Sequence, residues 1–92
     1  MPTISWFYGI SIRMFFNDHA PPHFHAVHDA DEAVVEIETG QVLRGRLPRT
    51  AQRLVQEWAL SHREELLENW RRARAGVREP LVRIPGLDVD DE

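Results

Sequence analysis

The reactive side chains concentrate in Asn17 to His28, NDHAPPHFHAVH, which holds four of the five histidines in twelve residues and sets Pro21-Pro22 between the first of them and the next two. An imidazole, with an ordinary pKa of about 6.5, donates, accepts or coordinates near neutral pH. His23 and His25 stand two apart, so in a strand they share one face and Phe24 points to the other. Asp18 and His19 just precede the diproline and can return over the same face. Glu36 and Glu38 also share a face, and whether they oppose the histidines depends on a strand register that spacing alone leaves open. Two chemistries follow from these residue types. One is coordination of Zn, Ni or Fe by Asp18, His19, His23, His25 and Glu36. The other is metal-free acid-base work on RNA by His19, His23 and His25, with Arg13 holding phosphate. A structural role competes with both: Asp18 can cap a turn, histidines can bond carbonyls, and diproline can fix the bend.

Composition narrows these chemistries. The chain has no cysteine, which excludes disulfides, thiolate zinc sites and cysteine nucleophiles and leaves any metal to His, Asp and Glu. It shows no glycine-rich phosphate loop and no nucleophile elbow, and no cofactor is assigned. The N-terminus lacks a signal-peptide pattern, and no apolar run approaches the roughly 20 residues that span a bilayer. The expectation is a cytoplasmic protein without a membrane partner. The net charge of -4 conceals a segregation: residues 1–43 carry a net -5, residues 44–78 a net +5 and residues 79–92 a net -4. Every basic residue is arginine. The basic stretch suits a phosphate backbone, RNA or DNA, or an acidic protein.

The elements that must position the cluster can be read from periodicity. Residues 3–16, TISWFYGISIRMFF, alternate with period two, which predicts one long strand with Ile4, Trp6, Tyr8, Ile10, Ile12, Met14 and Phe16 on its buried face and a bulge or close approach at Gly9. His23 to His28 reads as a second strand, Asp29 to Glu32 as a turn, Ala33 to Glu38 as a third strand and Gln41 to Gly45 as a short fourth. Turns this tight favour antiparallel neighbours. From Pro48 on, Leu47, Ala51, Leu54, Val55 and Trp58 form a helical stripe. Ser61 and Glu64 have capping-box spacing, which predicts a second helix from there to about Ala75, with Leu66, Leu67, Trp70 and Ala73 as its stripe and Gly76 as its stop. The fold class expected is α+β: an antiparallel meander of three to four strands followed by a C-terminal helical pair packed on one face of the sheet. Residues 1–80 form the single domain, and residues 81–92 an acidic tail with few contacts, of which Leu81, Val82 and Ile84 can dock on the sheet or a partner. Oligomeric state is not legible.

The opening PTISWFYGISIRMFFNDHAPPHFHA, the stretch EIETGQVLRGRLP and the helical LVQEWALSHREELLENWRRA together resemble the small bacterial proteins grouped as domain of unknown function family 4160, over roughly residues 1–80. On that resemblance Asp18, His19, Pro21, Pro22, His23, Phe24 and His25 match the family's motif. The resemblance also implies a small cognate protein partner, because members are often encoded beside a second small protein in what looks like a toxin-antitoxin pair. Joined to the histidine cluster, it gives the leading expectation of a pair component, plausible as the toxin, that acts on RNA or translation. In that reading His23 or His25 is general base or acid, another histidine its counterpart, and Arg13 the phosphate anchor. A non-enzymatic module that binds protein or DNA through its arginines, and a His/carboxylate metal protein, are the alternatives.

Overall fold

The computed structural model describes residues 3–16, 18–75 and 81–87. Five strands, β1 (Thr3–Phe7), β2 (Ile10–Arg13), β3 (His23–His28), β4 (Asp31–Glu36) and β5 (Val42–Gly45), are followed by two helices, α1 (Arg49–Ser61) and α2 (Arg63–Arg74). Each strand pairs antiparallel with its neighbour in sequence, giving the sheet order β1-β2-β3-β4-β5. This is the expected α+β meander with its helical pair, built from one strand more than anticipated.

The additional strand comes from the aromatic opening, which is a hairpin rather than one long strand. Tyr8 and Gly9 form its turn, at φ 51° and 77°, and two central residues with positive φ match the twist of a tight hairpin. Gly9 is therefore the turn itself, not a bulge. The bulge lies in β1, where Thr3 pairs with Arg13 but Ser5 with Ile12. One surplus residue there lets Ile4 and Phe7, three apart, both face the core. Ile10, Ile12 and Met14 are buried as expected, whereas Trp6, Tyr8 and Phe16 lie exposed. Alternation predicts those three inside because it assumes one unbroken phase, and the bulge and turn shift that phase.

β4 begins at Asp31, earlier than its Val-rich centre suggests, because Asp29 adopts φ 53° and a two-residue turn suffices to reverse the chain. β5 ends on Gly45, where an added Cβ would stand 2.2 Å from the carbonyl oxygen of Glu32. Only glycine permits this approach of β5 to β4.

The helices cover one face of the sheet. Trp58 of α1 is fully buried, with its ring 5.2 Å from Phe7 and 5.8 Å from Phe24. Ala51, Val55 and Ala59 on α1 and Leu66, Trp70 and Ala73 on α2 complete that layer. The two helices are separated at His62, at φ -117° and ψ 28°, with no side-chain cap. Ser61 closes α1 instead of capping α2, and the nearby contact runs from His62 Nδ1 to Glu65 Oε1 at 2.6 Å. Gly76 lies outside the described residues.

Residues 81–87 make more contacts than a tail of this composition suggests. The Asn69 amide donates to the Val82 carbonyl at 2.8 Å and accepts from its N–H at 2.6 Å. The Ile84 N–H donates to Ile4 O at 2.8 Å along the outer edge of β1. Trp58 Nε1 donates to Pro85 O at 2.9 Å, and Ile84 is fully buried. Apolar Leu81 and Ile84 outweigh the acidic average of the segment. No helix of the described residues is long and apolar enough to cross a membrane.

Candidate functional site

The more open face of the sheet, opposite Phe24 and Ala26, carries His23 and His25, and His23 also meets Trp70 of α2. In β3 the alternation sends Phe24 and Ala26 into the core and leaves His23, His25 and Val27 on the open face. Register places His23 opposite Glu36, His25 opposite Val34 and Val27 opposite Glu32. On its other side His25 faces Arg13 of β2, and Val34 in turn faces Arg44 of β5. One row, Arg13, His25, Val34 and Arg44, therefore crosses four strands on a single face.

The segment before β3 returns over this row. It passes through a cis Ala20–Pro21 peptide, and Pro22 O accepts the Ile37 N–H at 3.0 Å, which ties the segment to the end of β4. Asp18 is thereby brought over the imidazoles. Its Oδ2 lies 2.9 Å from His23 Nε2 and 3.7 Å from His25 Nε2, while its Oδ1 accepts the His19 backbone N–H at 2.8 Å. Burial pushes the Asp18 carboxyl up, but the His19 N–H bond, the bond and charge of His23 and the nearby His25 ring outweigh it and hold the carboxyl below the ordinary aspartate value.

The second nitrogen of each ring is engaged as well. His23 Nδ1 lies 2.7 Å from Pro21 O, and a carbonyl can only accept, so Nδ1 bears the hydrogen. His25 Nδ1 lies 3.1 Å from Glu32 Oε2, again an acceptor when ionised. Both Nε2 atoms are thereby left to face the same Asp18 carboxylate, and His25 Nε2 is buried without a hydrogen-bond partner. An imidazole lone pair against a carboxylate is repulsive, and a cation between the two groups would turn that repulsion into attraction. Phe15 packs edge-on against His25, 4.4 Å between centroids, and Trp70 lies 5.1 Å from His23, which fixes both rings.

Asp18, His23 and His25 each offer one ligand atom within 4.8 Å of the others. A cleft of about 600 Å³ opens beside them, with Phe15, Phe16, His19, Val34, Leu43 and Arg44 among its walls. Of the residues singled out from sequence, Asp18, His23 and His25 come together. His19 is exposed and reaches the cleft wall only. Arg13 neighbours His25 in register, with its Nε donating to Ser11 Oγ at 3.1 Å, but is not among the walls of the cleft. Glu36, although opposite His23, accepts a bond from Thr39 Oγ1 at 2.7 Å and is not part of the three-residue group. Glu32 and Arg44 are the residues missed by sequence reading. Glu32 was legible in principle: a reversal complete at Ala30 sets it diagonal to His25 on the same face.

The chain matches the family described as domain of unknown function DUF4160 over residues 9–71, a span that begins at the first turn, includes the whole cluster and ends within α2. No curated protein and no solved structure matches it. With more than half of its length covered by that match, the chain belongs to the DUF4160 family.

Proposed function

We propose that this is a metal-binding protein whose centre consists of Asp18 and the Nε2 atoms of His23 and His25. The observation that carries the reading is the pairing pattern of the rings: both Nδ1 atoms already meet acceptors, Pro21 O and Glu32, and both Nε2 atoms converge on one carboxylate. Metal-ligating histidines characteristically donate their second N–H to a carbonyl or a carboxylate, which fixes the tautomer and orients the ring. Separations support the same assignment. Two ligand atoms about 2.0–2.1 Å from a tetrahedral ion stand about 3.3 Å apart, and the observed 2.9 and 3.7 Å bracket that value. Two imidazoles and a carboxylate suit Zn, Fe or Ni.

Three protein ligands leave coordination positions for water or substrate, and such an ion supplies a polarised oxygen or an activated water at neutral pH. The protein's part is to hold the ligands, to cover His25 Nε2 from bulk water and to leave the cleft as the approach. The alternative of metal-free acid-base catalysis by His23 and His25 needs a ring nitrogen free to meet substrate. Both Nδ1 atoms are held by acceptors and both Nε2 atoms turn to Asp18 rather than into the cleft as free bases, so the geometry favours the metal. Action on RNA as one member of a two-protein pair is a proposal about the same cleft and draws its support from the family resemblance.

The test is metal content after purification without chelator, followed by titration of the stripped protein with Zn, Ni and Fe(II). The reading expects one ion per chain and none in the His23→Ala/His25→Ala variant once its fold is verified. A metal-free wild type that takes up none of the three ions contradicts it.

A further inference from the structure

The eleven arginines are not equivalent. Near the end of α2, Arg71 and Arg72 bond to Glu68 at 2.7 and 3.0 Å, and Arg74 lies over the Trp70 ring at 5.9 Å. Each of these guanidinium groups therefore already has a partner within its own helix. Arg44, Arg46, Arg49 and Arg53, by contrast, are exposed, and their guanidinium groups have no partner among the described residues. They follow one another from β5 into α1. Arg44 forms part of the cleft wall. The Arg46 N–H donates to Glu32 O at 3.1 Å, which pins the start of the run beside the carboxylate that orients His25. Arg49 and Arg53 stand four apart on α1, so they share a helix face.

At strand spacings of about 4.8 Å, Arg44 stands roughly 10 Å from His25, with Val34 between them. A free guanidinium at that distance sits where it can hold one anionic group of a ligand whose neighbouring group reaches Asp18, His23 and His25. The walls between are apolar, and Phe16, at 44% exposure, and Leu43, at 45%, present side chains to solvent in the cleft. Arg44 stands in that wall, and the other three follow it from the edge strand β5 to α1; a basic run that starts at an aromatic wall suits a phosphodiester backbone whose bases stack. An acidic peptide would use the arginines without requiring Phe16, whereas a strand of nucleotides brings a base to stack at each step.

We infer that Arg44, Arg46, Arg49 and Arg53 bind a single-stranded nucleic acid chain and lead it into the cleft, with Phe16 as a stacking surface. The inference rests on the metal-centre reading for the destination of the strand, though not for its binding, so the two can fail separately.

The test is fluorescence anisotropy with a labelled oligouridylate of about 12 nucleotides, a length suited to small single-strand sites, in the presence of EDTA. Four neutralised phosphates give a slope of log affinity against log salt near -3, or roughly a 50-fold loss between about 50 and 200 mM salt. Changing all four arginines to alanine is expected to weaken binding at least about 30-fold and to flatten the slope. Phe16→Ala is expected to cost about tenfold without altering the slope, and Arg71→Ala/Arg72→Ala less than about twofold. Zinc uptake and thermal melting are recorded for every variant. Absence of binding in a protein that takes up zinc overturns the inference and leaves the metal reading standing. So does equal weakening by the Arg71/Arg72 pair, or displacement of the probe by polyglutamate as readily as by unlabelled oligonucleotide, the last result assigning the surface to an acidic protein. Oligonucleotide binding as expected in a protein that takes up no metal overturns the metal centre and leaves the strand-binding surface standing.

Discussion

The two faces of the sheet are built on opposite terms. The face under the helices is closed by Phe7, Phe24, Trp58, Leu66 and Ile84, and its buried polar groups at Trp58 and Asn69 have partners in residues 82–85. The open face carries two imidazoles turned toward one carboxylate, with exposed Arg44 in the wall of the cleft beside them. In a protein of 92 residues, with one modest core to supply stability, this separation means that changes on one face should alter folding and changes on the other should alter binding.

The separation can be broken from either side. The largest effect belongs to Trp58→Ala, which removes the ring that joins Phe7 to Phe24 and leaves Pro85 O without its donor. It should destabilise the domain by about 3–5 kcal/mol, a large part of a total of about 5–15 kcal/mol, and metal uptake should fail with the fold. Denaturant titration followed by circular dichroism measures it; a loss below about 1 kcal/mol would break the comparison. On the other face His25→Ala should abolish tight metal uptake, weakening it by more than about 100-fold, while shifting stability by no more than about 1 kcal/mol. Competition with a chelating dye reads the affinity.

Glu32→Gln sharpens the comparison because the glutamate touches the site only through His25 Nδ1. A partner of this kind should cost about 10- to 100-fold in metal affinity and leave thermal melting within a few degrees. An unchanged affinity would place Glu32 outside the centre. The smallest effect concerns pH. The folded Asp18 carboxyl lies below its unfolded value of about 3.9, so the unfolded chain binds the proton more readily. Its contribution to stability is therefore present above about pH 4 and is lost as pH falls through the lower folded value. Urea titrations of metal-free protein at a series of pH values should show Asp18→Asn losing less stability than wild type below about pH 4.

The closed face was more legible in sequence than the open one. Ala51, Val55 and Trp58, and then Leu66, Trp70 and Ala73, follow a 3.6-residue period that survives folding because helices keep their phase. The aromatic opening does not, since one surplus residue in β1 and two positive φ angles at Tyr8-Gly9 reverse which aromatics are buried. For the site, local spacing placed Asp18, His23 and His25 together, because all three lie in one short segment. Glu32 and Arg44 arrive from β4 and β5 through register, which a two-residue turn at Asp29-Ala30 decides and which periodicity alone does not report. Glu36 is the counterpart: adjacent to His23 by register, yet held by Thr39 instead.

The central claim concerns which nitrogens the two rings present to the Asp18 carboxylate, and long-range proton-nitrogen NMR of the imidazoles, recorded before and after one equivalent of zinc, tests it most directly. The account predicts that His23 and His25 alone change, that both keep the hydrogen on Nδ1, and that both Nε2 resonances move to metal-bound positions. Unchanged spectra for these two rings, or metal on either Nδ1, would contradict it.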